Sequence, residues 1–236
     1  MTIEAAVVRS LRGARILVVG ASGGIGRPLT SALAARGARL ALAGRNPATL
    51  PERDAVDGAV FPFDLGDPDS AALLVDDAAA ALGGLDGVVC CAGAVAFGPL
   101  DEIPLPTLLE IVAVNLVGPL TLARAALPVL SEGGFVLNIS GVVADMPTAG
   151  LVAYSAAKAG VSAGFRALAR EARPRRLSAI DARPPHTETS LAGRGLHGTP
   201  PRLRPGLDPV IVAERLVRAI EFDERDLPAA SFTQSR

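Results

Sequence analysis

Arg15-Ile16-Leu17-Val18-Val19 is a short apolar run with β-branched residues, and it breaks at Gly20-Ala21-Ser22-Gly23-Gly24-Ile25-Gly26. An apolar run of that length stopped by glycines predicts a buried strand. Arg27 to Arg36 carries Leu29, Ala32, Leu33 and Ala34 and is followed by Gly37, which predicts a helix with a glycine stop. Arg39 to Ala43 predicts a second strand. Strand, glycine turn, helix and strand make a βαβ unit, which crosses over right-handed into a parallel sheet.

The alternation continues along the chain. Strands are predicted at 59–63, 85–91, 134–139 and 177–182, and helices at 69–82, 107–130, 152–173 and 209–222. Pro119 falls inside the 107–130 helix and is expected to kink or split it. A last short strand is predicted at 229–232. The expected fold is a doubly wound parallel sheet of the Rossmann type, a three-layer αβα single domain spanning residues 1–236. Residues 1–12 form an N-terminal extension. The glycine-, proline- and arginine-rich stretch 184–206 is too long for an ordinary connector and is expected to cover the site as a flap.

Composition narrows the function classes. Half of the 236 residues are hydrophobic, which is enough for one core and argues against disorder. The net charge of −1 gives no ground for nucleic-acid binding or for an anionic membrane surface. Met1 to Leu11 has no apolar run of signal-peptide length, and no stretch approaches the ~20 uninterrupted apolar residues of a spanning helix. The expected compartment is the cytoplasm, with no membrane partner. The two cysteines, Cys90 and Cys91, are adjacent, which suits buried free thiols and neither a disulfide framework nor a metal site.

In sheets of this kind ligands bind at the carboxyl ends of the strands. The glycine turn, Gly44-Arg45, Asp64, Cys91-Ala92-Gly93 and Ser140-Gly141 all fall at such ends. Gly20, Gly24 and Gly26 permit a tight turn and close approach of a pyrophosphate, and the following helix offers free N–H groups to an anion. The second strand ends in Ala43-Gly44-Arg45-Asn46 with no acidic residue for ribose hydroxyls, and Arg45 suits a 2′-phosphate, so NADP is expected and NAD is the less favoured cofactor. The chain's only tyrosine, Tyr154, and only lysine, Lys158, lie four residues apart in an alanine-rich helix, hence on one face. A positive charge beside a phenol favours the phenolate and brings its pKa toward working pH.

This constellation resembles the short-chain dehydrogenase/reductase family over nearly the whole chain, from Leu11 to about Phe222. Gly20 to Gly26 is similar to the family's TGxxxGxG turn, with Val19 in place of threonine and with Ser22 and Ile25 beside the phosphates. Asp64-Leu65 resembles the adenine-holding pair, and Cys91-Ala92-Gly93 falls where the family has asparagine, alanine and glycine. Asn115 resembles the helix asparagine that supports a water relay, and Tyr154 and Lys158 the YxxxK pair. Pro184, Thr187 and Thr189 fall in a segment similar to PGxxxT, which meets the nicotinamide. The resemblance implies hydride transfer between the nicotinamide and the carbonyl carbon of a small ketone, aldehyde or alcohol. Tyr154 is then the acid/base, with Lys158 on the nicotinamide ribose and Asn115 anchoring water. It also implies a homodimer or homotetramer built on the helices around 107–130 and 152–173.

Three departures qualify this reading. The family's catalytic serine falls on Gly141, one position after Ser140. Strand alternation points Ser140 to the other face, unless a bulge redirects it, so Ser140 serves as catalytic donor, another group serves, or the enzyme is slow or inactive. Cys90-Cys91 replaces a bracing asparagine pair, and Pro184-Pro185-His186 replaces proline-glycine. Val95, Phe97, Val142, Met146, His186 and Leu191 are expected to line an aliphatic substrate pocket, and Arg194, Arg202 and Arg204 stand in the flap. The alternative to a reductase is a dinucleotide-binding regulatory or partner protein with little activity.

Overall fold

A computed structural model describes residues 9–50, 59–202 and 204–232. It contains one seven-stranded parallel sheet in the order β3-β2-β1-β4-β5-β6-β7. The strands are β1 (Arg15–Val19), β2 (Arg39–Gly44), β3 (Val60–Pro62), β4 (Leu85–Cys90), β5 (Leu130–Ile139), β6 (Ser178–Ala182) and β7 (Asp226–Leu227). The helices are α1 (Gly26–Ala35), α2 (Ala71–Leu82), α3 (Leu105–Val112), α4 (Gly118–Ala126), α5 (Val152–Ala172) and α6 (Pro209–Glu221). The doubly wound αβα fold read from the sequence is the fold observed. The N-terminal extension is described only from Arg9, and residues 1–8 lie outside the described set.

Period-two alternation along each strand sends side chains into two cores. Ile16, Val18, Leu40 and Leu42 pack under α1 and α6, whereas Leu17, Val19, Ala41 and Ala43 pack under α2, α4 and α5. Both faces are covered, which is why the strands read as apolar runs rather than alternating ones. Gly87 on β4 leaves room for the Phe135 ring of the paired β5, and a Cβ there would lie 2.3 Å from that ring. Helix α6 starts on Asp208, whose carboxylate accepts from Val210 N at 2.8 Å, with Pro209 in the first turn.

The long helix predicted over 107–130 is three segments. A π-helical turn at Ala113–Val117 separates α3 from α4, immediately before Pro119. Proline lacks an N–H and its ring crowds the carbonyl four residues earlier, here that of Asn115, so the wider turn relieves that clash. By length and composition Leu105–Ala126 is apolar enough to cross a membrane. Asn115 is nonetheless fully buried within the protein, and Leu122, Ala123 and Ala126 sit in the core shared with α2 and α5. The strand predicted at 229–232 is not a strand. The last strand is Asp226–Leu227, and Pro228 ends it because it has no N–H to continue the ladder. Ala229–Phe232 then forms a 3-10 turn that buries Phe232.

Candidate functional site

The glycine turn is built by close packing. A Cβ on Gly26 would lie 2.1 Å from Gly20 O, so only glycine allows α1 to begin so close to the end of β1. Gly23 N donates to Gly20 O at 2.9 Å and closes the turn. The turn opens onto a cleft of about 580 Å³ that runs along the carboxyl ends of the strands. One end is walled by Arg45, Asn46, Thr49, Phe63, Asp64 and Leu65, and the middle by Gly20, Ser22, Gly24 and Ile25. The far end holds Ala92, Gly93, Tyr154, Lys158, Pro184 and Thr187. Arg45 is exposed and forms no ion pair among the described residues.

Tyr154 and Lys158 share a face of α5, with Lys158 Nζ 5.8 Å from the centre of the Tyr154 ring. Lys158 is 4% exposed, and its Nζ donates to Ile139 O at 2.8 Å. Burial pushes the ammonium pKa down, opposed by Cys90, Asp181 and Cys91. Tyr154 is half-buried, its hydroxyl hydrogen-bonds no group among the described residues, and burial pushes its phenol up to about 12. In the protein alone, burial thus moves the phenol opposite to the lowering that a facing lysine would give.

Asn115 does not line the cleft. Its Nδ2 donates to Ala94 O at 2.8 Å and to Ile111 O at 2.9 Å, and its Oδ1 accepts from Ala94 N at 3.3 Å. The asparagine pins the loop after β4 to the π turn and so fixes Gly93 beside Lys158; a Cβ on Gly93 would stand 3.6 Å from Nζ. Gly26, likewise, stands behind the turn rather than in the wall.

A family model described as short chain dehydrogenase matches residues 14–197. The chain belongs to the short chain dehydrogenase family. It is 36% identical over 171 residues to a short chain dehydrogenase of Pseudocercospora fijiensis, covering 68% of this chain and 55% of that protein. It is 32% identical over 162 residues to the 2-dehydro-3-deoxy-L-rhamnonate dehydrogenase (NAD(+)) of Sphingomonas sp. strain SKA58, covering 66% of this chain and 64% of that enzyme. The match thus spans about half to two thirds of these relatives' length. Among solved structures, a short chain dehydrogenase from Burkholderia cenocepacia J2315 in complex with NADP superposes with a TM-score of 0.82 at 26% identity, over 95% of this chain and all of the other.

In this short chain dehydrogenase the serine beside the expected position is Ser140. The residue is fully buried, and its hydroxyl donates to Asp181 Oδ1 at 2.7 Å. Ser140 borders the cleft, yet its hydroxyl is turned to Asp181 and to Ala182 O rather than left free beside Tyr154. Gly141 holds φ 82° and ψ 161°, a region essentially confined to glycine, although no atom lies within 4 Å of where its Cβ would be.

Cys91 edges the cleft, and burial raises both thiols, Cys90 to about 11. Of the expected substrate-lining residues, Val95, Phe97, Val142, His186 and Leu191 line the cleft. Met146 does not; it lies 67% exposed on the outer side of its loop. Arg194 reaches the cleft, whereas Arg202 and Arg204 do not. Sequence reasoning missed Thr148, Leu151 and Leu196. Leu151 caps α5 three residues before Tyr154, a helical spacing that carried the signal.

The flap is tied at both ends. Val142 N donates to Pro184 O, Glu188 N to Leu207 O and Leu207 N to His186 O, at 2.8–2.9 Å. At the tip, Leu196 N donates to Val95 O and Phe97 N to His197 O, at 2.8 and 2.9 Å. Thr189 packs on the glycine turn: a Cβ on Gly24 would lie 2.6 Å from Thr189 Cβ.

Proposed function

We propose that the protein is an NADP(H)-dependent oxidoreductase that interconverts a carbonyl and a secondary alcohol. The observation that carries this reading is one continuous cleft with the Tyr154–Lys158 pair at one end and, at the other, an exposed Arg45 with no ion pair among the described residues. The residues present fit a dinucleotide. The glycine turn lets α1 begin hard against the end of β1, so the N–H groups of its first turn open onto the cleft, and Arg45 follows β2 in Gly44-Arg45-Asn46, where the sequence places no acidic residue. When bound, the dinucleotide supplies or accepts the hydride.

The chain's own residues do the rest. Arg45 meets a 2′-phosphate, and the N-terminus of α1 faces the pyrophosphate. Lys158 holds the ribose hydroxyls and keeps positive charge beside Tyr154. Tyr154 donates its proton to the carbonyl oxygen in reduction and takes it back in oxidation. Val95, Phe97, Val142, Leu151, Leu191 and Leu196 select a substrate with an aliphatic body. The comparisons point both ways on the cofactor, since the Sphingomonas relative is named for NAD(+) and the Burkholderia structure holds NADP. Arg45 at the end of β2 supports the NADP reading.

The test is NADPH oxidation against a panel of ketones and aldehydes. Tyr154→Phe is expected to lower kcat by about 10²–10⁴-fold while NADPH still binds. Arg45→Ala is expected to cut the preference for NADPH over NADH by roughly tenfold or more, the effect of losing a charge-assisted hydrogen bond of about 1.5–3 kcal/mol. Turnover that survives Tyr154→Phe intact sinks the mechanism. The position of Ser140 motivates a second reading, a dinucleotide-binding protein with little activity; NADPH binding without turnover of any panel member would favour it.

A further inference from the structure

Between β6 and α5 lies a buried polar cluster that the proposed chemistry does not use. Asp181 is 1% exposed and faces α5, since its neighbours Ile180 and Ala182 pack into the opposite core. Its Oδ1 accepts from the Ser140 hydroxyl at 2.7 Å, and its Oδ2 accepts from the Ser162 hydroxyl at 2.6 Å. Ser140 follows Ile139, whose carbonyl receives the Lys158 Nζ–H. Ser162 lies four residues after Lys158 on α5, on the same helix face. One carboxylate therefore grips both the strand end that receives the lysine's hydrogen bond and the helix that carries the lysine.

A carboxylate so deeply buried requires a partner. Arg183 provides it: Nη1 donates to Asp181 Oδ2 at 2.7 Å, Nε to Asp145 at 2.6 Å, and Nη2 pairs with Asp226 at 2.8 Å. Asp145 belongs to the loop after β5, so the same network fixes the loop that carries Val142 and Val143 along the cleft.

The groups that face Lys158 are Cys90 at the end of β4 and Cys91 just after it, the Ile139 carbonyl from β5, Tyr154 on its own helix, and Asp181 from β6 with Arg183 behind it. Both thiols and the phenol are raised by burial and stay neutral at working pH. Asp181 is the one carboxylate among these groups.

We propose that Asp181 is a positioning residue for Lys158: it clamps β5 to α5 on either side of the amine's hydrogen bond and supplies the negative charge that keeps the amine cationic. The assignment rests on Tyr154 and Lys158 being the working pair, yet its first test needs no turnover. Lys158 is the only lysine in the chain, so protein labelled with ¹⁵N at lysine Nζ gives a single side-chain amine signal in NMR. Loss of a facing negative charge disfavours the ammonium, so in Asp181→Asn the titration midpoint of that signal is expected to fall by about one pH unit or more. An unchanged midpoint in a folded Asp181→Asn protein overturns the proposal.

Ser162→Ala removes one arm of the clamp and keeps the carboxylate. Its midpoint is expected to stay within about 0.3 unit of the native value. Its kcat for NADPH-linked reduction is expected to drop by about threefold or more, with KM for NADPH unchanged. A native kcat in Ser162→Ala overturns the clamp, and this arm decides the matter where Asp181→Asn does not fold. If the native chain reduces no carbonyl while the Asp181→Asn midpoint falls as expected, the reductase reading sinks and the Asp181 assignment stands.

Discussion

Gly141 stands where the family resemblance places a serine. Its φ of 82° lies in the left-handed half of backbone space, and at that ψ a side chain costs about 1–3 kcal/mol. Restoring the family residue therefore does not restore the family site. Gly141→Ser is expected to lower the melting temperature by about 2–4 °C per kcal/mol of that cost, with no rise in kcat. A stable Gly141→Ser protein with raised kcat would show that the backbone relaxes around the new hydroxyl. The substitution itself was legible in the sequence, and so was the alternation that turns Ser140 away. The destination of Ser140 was not, because its partner Asp181 lies on a strand 41 residues later and pairing across strands leaves no mark in local sequence. Tyr154 carried a similar blind spot. Its helical spacing from Lys158 was readable, whereas the residues packed around its ring come from the loop after β4, α3, the π turn and the flap.

At the scale of elements, the strand–turn–helix unit was readable because glycine, β-branched runs and helical periodicity are local signals. Boundaries failed where tertiary packing decides them. The π turn before Pro119 and the substitution of a 3-10 turn for a strand at 229–232 both follow from prolines whose effect was visible but whose resolution was not. The start of β1 is fixed to that of β4 by one ion pair. Arg15 grips Asp86 at 2.7 and 2.8 Å through its guanidinium and at 2.9 Å through its backbone N–H. The Arg15 side chain, by hydrogen bonding, holds the Asp86 carboxyl down at about 2, below the usual ~3.9. A depressed pKa stabilises the fold fully above the unfolded value, and that contribution disappears as pH falls through about 2. Asp86→Asn is accordingly expected to melt below the native chain at pH 6, and the two melting curves are expected to converge as pH is lowered from about 4 to 2. A gap that stays constant over that range would contradict the assignment.

At the scale of the whole molecule, α3 and the start of α5 present large apolar side chains to solvent: Leu105 is 65% exposed, Leu109 57% and Val152 46%. We propose that this face joins copies of the chain into a dimer or tetramer. Light scattering is expected to return a multiple of the single-chain mass, and Leu109→Glu to return the single-chain mass; a native monomer would refute the assembly. The flap that closes the other side of the molecule bears on time rather than on affinity. Backbone hydrogen bonds fasten it at both ends, and Thr189 rests on the turn that a pyrophosphate would approach. We propose that this strap must unzip before an elongated ligand can enter or leave, so that both passages share one opening step.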